Sequence, residues 1–393
     1  MINMTTAQAA LKDLYLGVLS NQLNTDTDPL LNIIKKSSAS VYGRNVVKLV
    51  PYGLNAGISA GDETGELPNA SGNKYLNFTT SLKNLYGSIE ISDKAIRASN
   101  NDKGAFVNLL NAEMESLLYS SKFNLARMLF GDGTGELFTI VTATSATKTL
   151  VVDKIANVME GMIVDFYYNG SADTAMQGVK VVEVRPTTNE IIFDTAFSAT
   201  LTTANKANYK VYLQNSKDQE LTGLGAIFGN STSLYGLTRA DYACLTPYQK
   251  AQGSTETFDE TLIQKVLDDI EFQSGNSIDT ILADTVARGK LLTLMATYRK
   301  NMDFMNLQSG AMTMTYNGIP VLKNRFSESG AMMFLNSKDF EMHQLCDWEW
   351  LTNEDGSILK QKENYAIFQA TLVKYADIIC NKPSGQGKLT NIS

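Results

Sequence analysis

Between residues 102 and 130 one apolar stripe constrains the fold more than any other feature of the chain. Phe106, Leu109, Leu110, Met114, Leu117, Leu118, Leu125, Met128 and Leu129 recur at the three- and four-residue spacing of a single helix face. Asn101-Asp102 supplies a cap. Phe130-Gly131 supplies a stop, with Gly131 expected in the left-handed position after the last turn and Arg127 near the negative end of the dipole. A helix of about 25 residues is about 37 Å long at 1.5 Å per residue. So long an element acts as a spine along which the other layers pack, and Phe106, Leu110, Met114, Leu117, Leu125 and Met128 are its expected core contacts.

The flanking texture is different on each side. Residues 5–36 read as a helical or extended arm, broken at Asp28-Pro29. Val46, Val47, Leu49 and Val50 read as strand, and so does the run from Tyr75 to Phe78. Between them lies a turn-rich excursion holding Gly57, Gly61, Gly65, Pro68 and Gly72, whose tip has little to pack on. Residues 138–215 alternate short β-rich runs with Thr/Ser/Ala-rich borders, and 179–194 reads as a hairpin around Pro186-Thr-Thr-Asn189. A small barrel or sandwich is expected there.

The remainder is mixed. Thr257 and Glu260 are spaced as a capping box for a helix to about residue 272. Residues 277–283 read as a buried strand, and Asp284 caps another helix. Asn317-Gly318 marks a hairpin. A helical segment is expected near Asp339, carrying His343, before a strand-rich end.

Composition closes off several functions. Lys plus Arg is 34 against 41 Asp plus Glu, a formal charge of −7 with no basic stripe, which argues against tight nucleic-acid binding. Charged residues make up only 19%, below the usual quarter, as in chains that bury surface in subunit contacts. Cys244, Cys346 and Cys380 are scattered, giving neither a disulfide framework nor a zinc site. With His343 the single histidine, multi-histidine metal sites are impossible and any Ser-His-Asp triad must use it. No apolar run reaches the roughly 18 residues of a membrane helix, and residues 1–20 do not read as a signal peptide. Synthesis in the cytosol is expected.

Candidate chemistry is thin. Gly131-Asp-Gly133-Thr-Gly135 follows a helix instead of joining a strand to one, so turn chemistry explains it better than phosphate binding. Gly61-Asp-Glu-Thr-Gly65-Glu66 lacks the alternating ligands of a calcium loop. Ser71/Lys74, Ser145/Lys148 and Ser357/Lys360 have Ser-Lys hydrolase spacing, at about the frequency chance supplies. Eight of the fifteen methionines lie between Met295 and Met342, where they serve as core filler or as an adaptable interface. No catalytic residue, cofactor or metal is expected, and the chain does not read as an enzyme.

The order of the parts carries an identification. Tyr52-Gly-Leu-Asn-Ala-Gly57 runs through to Glu66-Leu-Pro68, followed by Leu85-Tyr-Gly-Ser-Ile-Glu-Ile-Ser92 with Ala95-Ile-Arg-Ala-Ser99. The long helix ends on Arg127-Met-Leu-Phe-Gly-Asp-Gly-Thr-Gly135. Later come Asp279-Thr-Ile-Leu-Ala-Asp284, Tyr316-Asn-Gly-Ile-Pro320, Asp347-Trp-Glu-Trp350 and Asn381-Lys-Pro383. In this succession the chain resembles tailed-phage major capsid proteins of the Hong Kong 97-like fold, over most of its length except 138–215.

The resemblance implies an α+β subunit with an N-terminal arm (1–42), an extended E-loop (43–85) and a P-domain with its spine helix (86–137). An inserted small β-barrel or sandwich domain (138–215), an A-domain (216–365) and C-terminal strands returning toward the P-domain (366–393) complete it. It implies inter-subunit contacts through the E-loop at Gly57, Gly61, Pro68, Lys74 and Tyr75. It also implies self-assembly of pentamers and hexamers into an icosahedral head shell around double-stranded DNA, held without sequence-specific binding and with no membrane. Portal, scaffolding and decoration proteins are the further partners, and the shell is assembled in the bacterial host cytoplasm as part of the virion. An encapsulin nanocompartment subunit is the alternative. The long excursion and the insertion favour the virion.

Overall fold

The computed structural model describes residues 29–38, 41–42, 45–53, 55, 57–67, 69–94, 103–198, 201–254, 256–297, 304–306, 312–352 and 358–392. The expected arm before residue 29 and the Asn101-Asp102 cap lie outside them.

The apolar stripe forms a helix over Lys103–Leu129. Its last turns are enclosed: Phe123, Leu125, Ala126, Met128 and Leu129 are all buried. Met114 and Leu117 are only half-buried. The side chains of Phe106 and Leu110 lie outside the described residues. At mid-length the helix lies against the strand Lys83–Ser92, and Gly87 permits the approach. A Cβ there would meet Leu117 Cδ1 at 3.1 Å.

Gly131 does not take the left-handed conformation expected of it; Gly133 and Gly135 do, with φ of +90° and +85°. A Cβ on Gly131 would meet the Met128 carbonyl oxygen at 3.2 Å, and the tighter requirement for glycine falls on Gly223 and Gly225, which press onto the carbonyls that end the helix. A Cβ on Gly223 would lie 2.5 Å from the oxygens of both Met128 and Leu129. Gly223 itself has φ −84°, which alanine tolerates, so the obstacle is steric alone. Gly223→Ala is therefore expected to lower the unfolding free energy by about 2–3 kcal/mol, read as a shifted urea midpoint at unchanged slope.

Three larger sheets carry the strands. In the first, the long strand Ile367–Cys380 is buried along most of its length and pairs antiparallel with Phe340–Trp350 on one edge and Lys83–Ser92 on the other. Lys35–Ser37 adds a parallel strand and Lys360–Gln361 a short one. This sheet and the end of the spine helix enclose the central core, which includes Leu30, Leu85, Leu125, Met128, Phe340, Met342 and Ile378.

The second sheet is mixed, in the order Tyr248–Ala251, Gly387–Thr390, Met332–Leu335, Thr280–Ala283, Ile319–Lys323, Met312–Tyr316, Phe304–Asn306. Helices Glu260–Ser274 and Thr285–Thr297 accompany it. Asp284 caps the second of these through Val286 and Ala287. The first is capped by Asp259, which accepts from the Leu262 N–H, and not by Thr257: the carboxylate two residues later is the one in the extended cap position. Met314 and Met332 fill the core of this layer, while Met333 and Met342 fill the central core.

Residues 140–213 form the third sheet, all antiparallel, with a separate core of Leu150, Phe166, Val181, Phe193, Phe197 and Val211. Residues 136–143 touch both of its edges. Leu137 donates to the Val211 carbonyl at 2.9 Å, and Ile140–Ala143 pairs with Thr149–Val152. The sheet thus closes on itself as a small barrel, which leaves no long free edge.

Strand pairing does not follow the boundaries expected from chain order. The extended E-loop expected over 43–85 is a hairpin that ends at Ser81, and Lys83 already belongs to the first sheet. The segment near Asp339 is one short turn followed by the strand Phe340–Trp350, so His343 lies on a strand and not on a helix. That strand, placed by the sequence with 216–365, pairs with Ile367–Cys380. Of the C-terminal strands expected to return toward the P-domain, Ile367–Cys380 pairs with Lys83–Ser92, whereas Gly387–Thr390 enters the mixed sheet.

Candidate assembly surfaces

Among the described residues, the hairpin of Asn45–Gly53 and Lys74–Ser81 carries several exposed apolar side chains on one face. Strand alternation gives it two unlike faces. Val46, Val50, Leu76 and Phe78 point inward onto Leu234, Tyr235, Leu245 and Ile379, with the Phe78 and Tyr235 rings stacked 5.3 Å apart. Val47, Leu49 and Tyr75 face outward at 53%, 59% and 51% exposure. These three sit in consecutive outward positions, since Val47 opposes Thr79, Leu49 opposes Asn77 and Pro51 opposes Tyr75. A contiguous apolar face at such exposure marks a surface that gains by being covered.

The tip continues this exposure, with Ile58 at 86% and Leu67 at 89%. Of the E-loop residues expected to make contacts, Gly61 and Lys74 are exposed and Gly57 is half-buried. Gly57 donates to Asn55 Oδ1 at 3.0 Å, and the Tyr75 hydroxyl accepts from Asn73 Nδ2 at 3.2 Å. Pro68 lies outside the described residues. Asp62 closes a local turn with Gly65, and no cluster of three or more metal-ligating side chains occurs among the described residues.

Beneath the hairpin's inner face lies a polar layer that sequence reasoning missed. Lys48 pairs with Glu341, and the Thr80 hydroxyl donates to Asp377. Asp377 also accepts from Thr222 N–H at 2.8 Å and Thr222 Oγ1 at 3.1 Å. His343 stands directly across the strand pair from Asp377, is fully buried, and neither ring nitrogen has a hydrogen-bond partner among the described residues. Burial, reinforced by the Lys48 ammonium, lowers the His343 pKa and keeps the ring neutral near pH 7. Burial also raises the Asp377 carboxyl against the hydrogen bonds that hold it down. Burial alone would raise Glu341, but Lys48 holds it below the ordinary range. On the opposite side of the sheet Lys374, fully buried, donates to Gln344 at 2.8 Å and Asp347 at 2.7 Å.

At the far end of the spine helix, Arg127 and Glu220 form a buried two-point pair, with Arg127 Nε also donating to Asn124 at 2.9 Å. The Gly131–Gly135 segment wraps this pair. Asp132 accepts from Thr134 N–H at 3.0 Å and Oγ1 at 2.6 Å, so the loop's polar groups are spent on its own turn. A cleft beside it reaches the barrel, lined by Lys154, Lys210, Glu136, Phe138 and Phe326 among others. Lys210 is committed to Glu136 at 2.8 Å, and His343 does not line the cleft. The three cysteines are free thiols, and burial raises the pKa of Cys380 strongly. No helix among the described residues is long and apolar enough to cross a membrane.

No family model and no curated protein matches the chain. Solved structures do. The cyanophage A-1(L) capsid asymmetric unit aligns over 95% of both chains at TM-score 0.56 and 10% identity. The capsid of the native GTA particle aligns over 100% of both at TM-score 0.50 and 10% identity. A chain of the holo-SrpI encapsulin complex from Synechococcus elongatus PCC 7942 aligns over 100% of this chain and 96% of its own at TM-score 0.48 and 9% identity. An alignment of end-to-end length at 10% identity reports the path of the backbone and little else, and it is the path that the order of strand, hairpin and spine helix implied. The chain therefore has the fold of the cyanophage A-1(L) and GTA capsid chains.

Proposed function

We propose that this chain is the major capsid protein of a tailed phage, closing through rings of five and six subunits into the icosahedral shell that holds the double-stranded DNA genome. The observation that carries this reading is the two-faced hairpin: one face is anchored on its own subunit, while Val47, Leu49, Tyr75 and the tip present apolar surface outward. A heterologous contact of this kind closes into rings when the rotation between copies fits. The hairpin is then the E-loop, the helix Lys103–Leu129 the spine of the P-domain, and the mixed sheet the A-domain. The barrel of 136–213 is an insertion on the P-domain, and its separate core supports that reading. Portal, scaffolding and decoration proteins are the further partners, and the formal charge of −7 fits a wall that holds DNA without gripping it.

Expression of the full chain in a bacterium, alone and with its neighbouring genes, tests the proposal. Electron micrographs are expected to show closed shells with five- and six-fold rings. Light scattering that reports a stable monomer at every salt and protein concentration, with or without those genes, would overturn it.

A further inference from the structure

The polar layer under the hairpin is a poor place for a second positive charge. Inner-face residues Lys48 and Thr80 of the hairpin sit over Glu341, His343 and Asp377 of the first sheet. Lys35, paired in register with Glu341 on the edge strand, adds a further cation. Ser37 lies opposite His343, and Thr222 and Tyr235 complete the surroundings without a formal charge.

We propose that His343 is a proton-operated latch, whose protonation releases the E-loop hairpin from the body of its own subunit. Docked, the imidazole is neutral and makes no hydrogen bond among the described residues. An added proton would place an imidazolium beside Lys48, with Glu341 the nearest counter-ion at 3.6 Å and already engaged by Lys48. Asp377 is committed to Thr80 and Thr222. Lifting the hairpin exposes His343 to water, where it takes up the proton without that cost. A docked histidine with a lowered pKa leaves hairpin docking at full strength above the ordinary value of about 6.5 and weakens it as pH falls below that value, until the docked ring itself titrates. One proton limits the effect to about tenfold in the docking equilibrium per pH unit. Asp377, with its raised pKa, acts in the opposite sense by favouring the docked form as pH falls, so the histidine must be isolated by substitution. The latch is a property of one subunit and does not require that shells form.

The test is hydrogen exchange in the full chain, corrected for intrinsic rates, from about pH 7.5 to about pH 5.5. Wild type and His343→Gln, which cannot be charged, are compared, with His343→Asn as a second neutral variant should the first fold poorly. Amides of Asn45–Gly53 and Lys74–Ser81 in the wild type are expected to lose protection several-fold more over that range than in the variant. Amides of Thr280–Ala283 and Met332–Leu335 are expected to change equally in both. Superimposable hairpin profiles in wild type and variant would overturn the latch. So would a wild-type loss shared equally by the mixed sheet, because the event would then be global unfolding.

Discussion

Arg127→Ala is expected to destabilise the subunit by about 3–5 kcal/mol, enough to leave much of the expressed protein insoluble. The loss comes less from the missing attraction than from what remains. Glu220 is 1% exposed, and without the guanidinium its carboxylate stays buried among the helix-ending carbonyls and the glycines that crowd them. The pair also joins the end of the spine helix to the loop that follows the last barrel strand, Tyr209–Leu213, across 93 residues of sequence. Replacing both partners, Arg127→Met with Glu220→Leu, removes the stranded charge and is expected to recover most of the loss. Urea unfolding of the wild type, Arg127→Ala and the double variant gives the comparison. A single variant as stable as the wild type would mean that Glu220 finds other partners and that the pair does not hold the junction.

Replacing residues 54–73 with Asn-Gly is expected to abolish shells while leaving the subunit folded. Gly53 and Lys74 are the last paired positions of the hairpin, so a two-residue turn can join them. Val46, Val50, Leu76 and Phe78 all remain, and with them the packing on Tyr235 and Ile379. What disappears is the exposed tip with Ile58 and Leu67, which contributes little to the subunit's own core. Circular dichroism and the melting temperature should therefore match the full chain, while closed shells disappear from micrographs. Normal shells from the shortened chain would remove the hairpin tip from the assembly contacts. A shortened chain that no longer folds would place the tip in the core.

Periodicity made much of the architecture readable in advance. The spine helix was expected over about 102–130 and runs Lys103–Leu129, because a stripe of that length has one regular solution. Asn317 and Asn189 mark tight turns and adopt φ of +49° and +54°, a backbone region asparagine enters more easily than most residues. The strands of 140–213 and the capping aspartate at 284 are local signals of the same kind. Where local preference and tertiary context disagreed, context prevailed. Glu341, Met342, Gln344 and Leu345 all favour helix, yet they form a strand, because the apolar edge of Ile367–Cys380 requires a partner there.

The polar layer beneath the hairpin was not readable. Lys48 and Glu341 are 293 residues apart, Thr80 and Asp377 297, and neither pair has a spacing that a local pattern can express. His343 looks unremarkable in sequence; sheet register sets it opposite Asp377, and the surrounding layers bury it. Apart from Phe340–Trp350, where the sheet overrode a local helix preference, the sequence alone determined the main helices, turns and alternating strands, since those depend on neighbours within a few residues. The tertiary structure decided which faces are covered and which charges meet in the dark, since burial and pairing depend on residues brought together from hundreds of positions away.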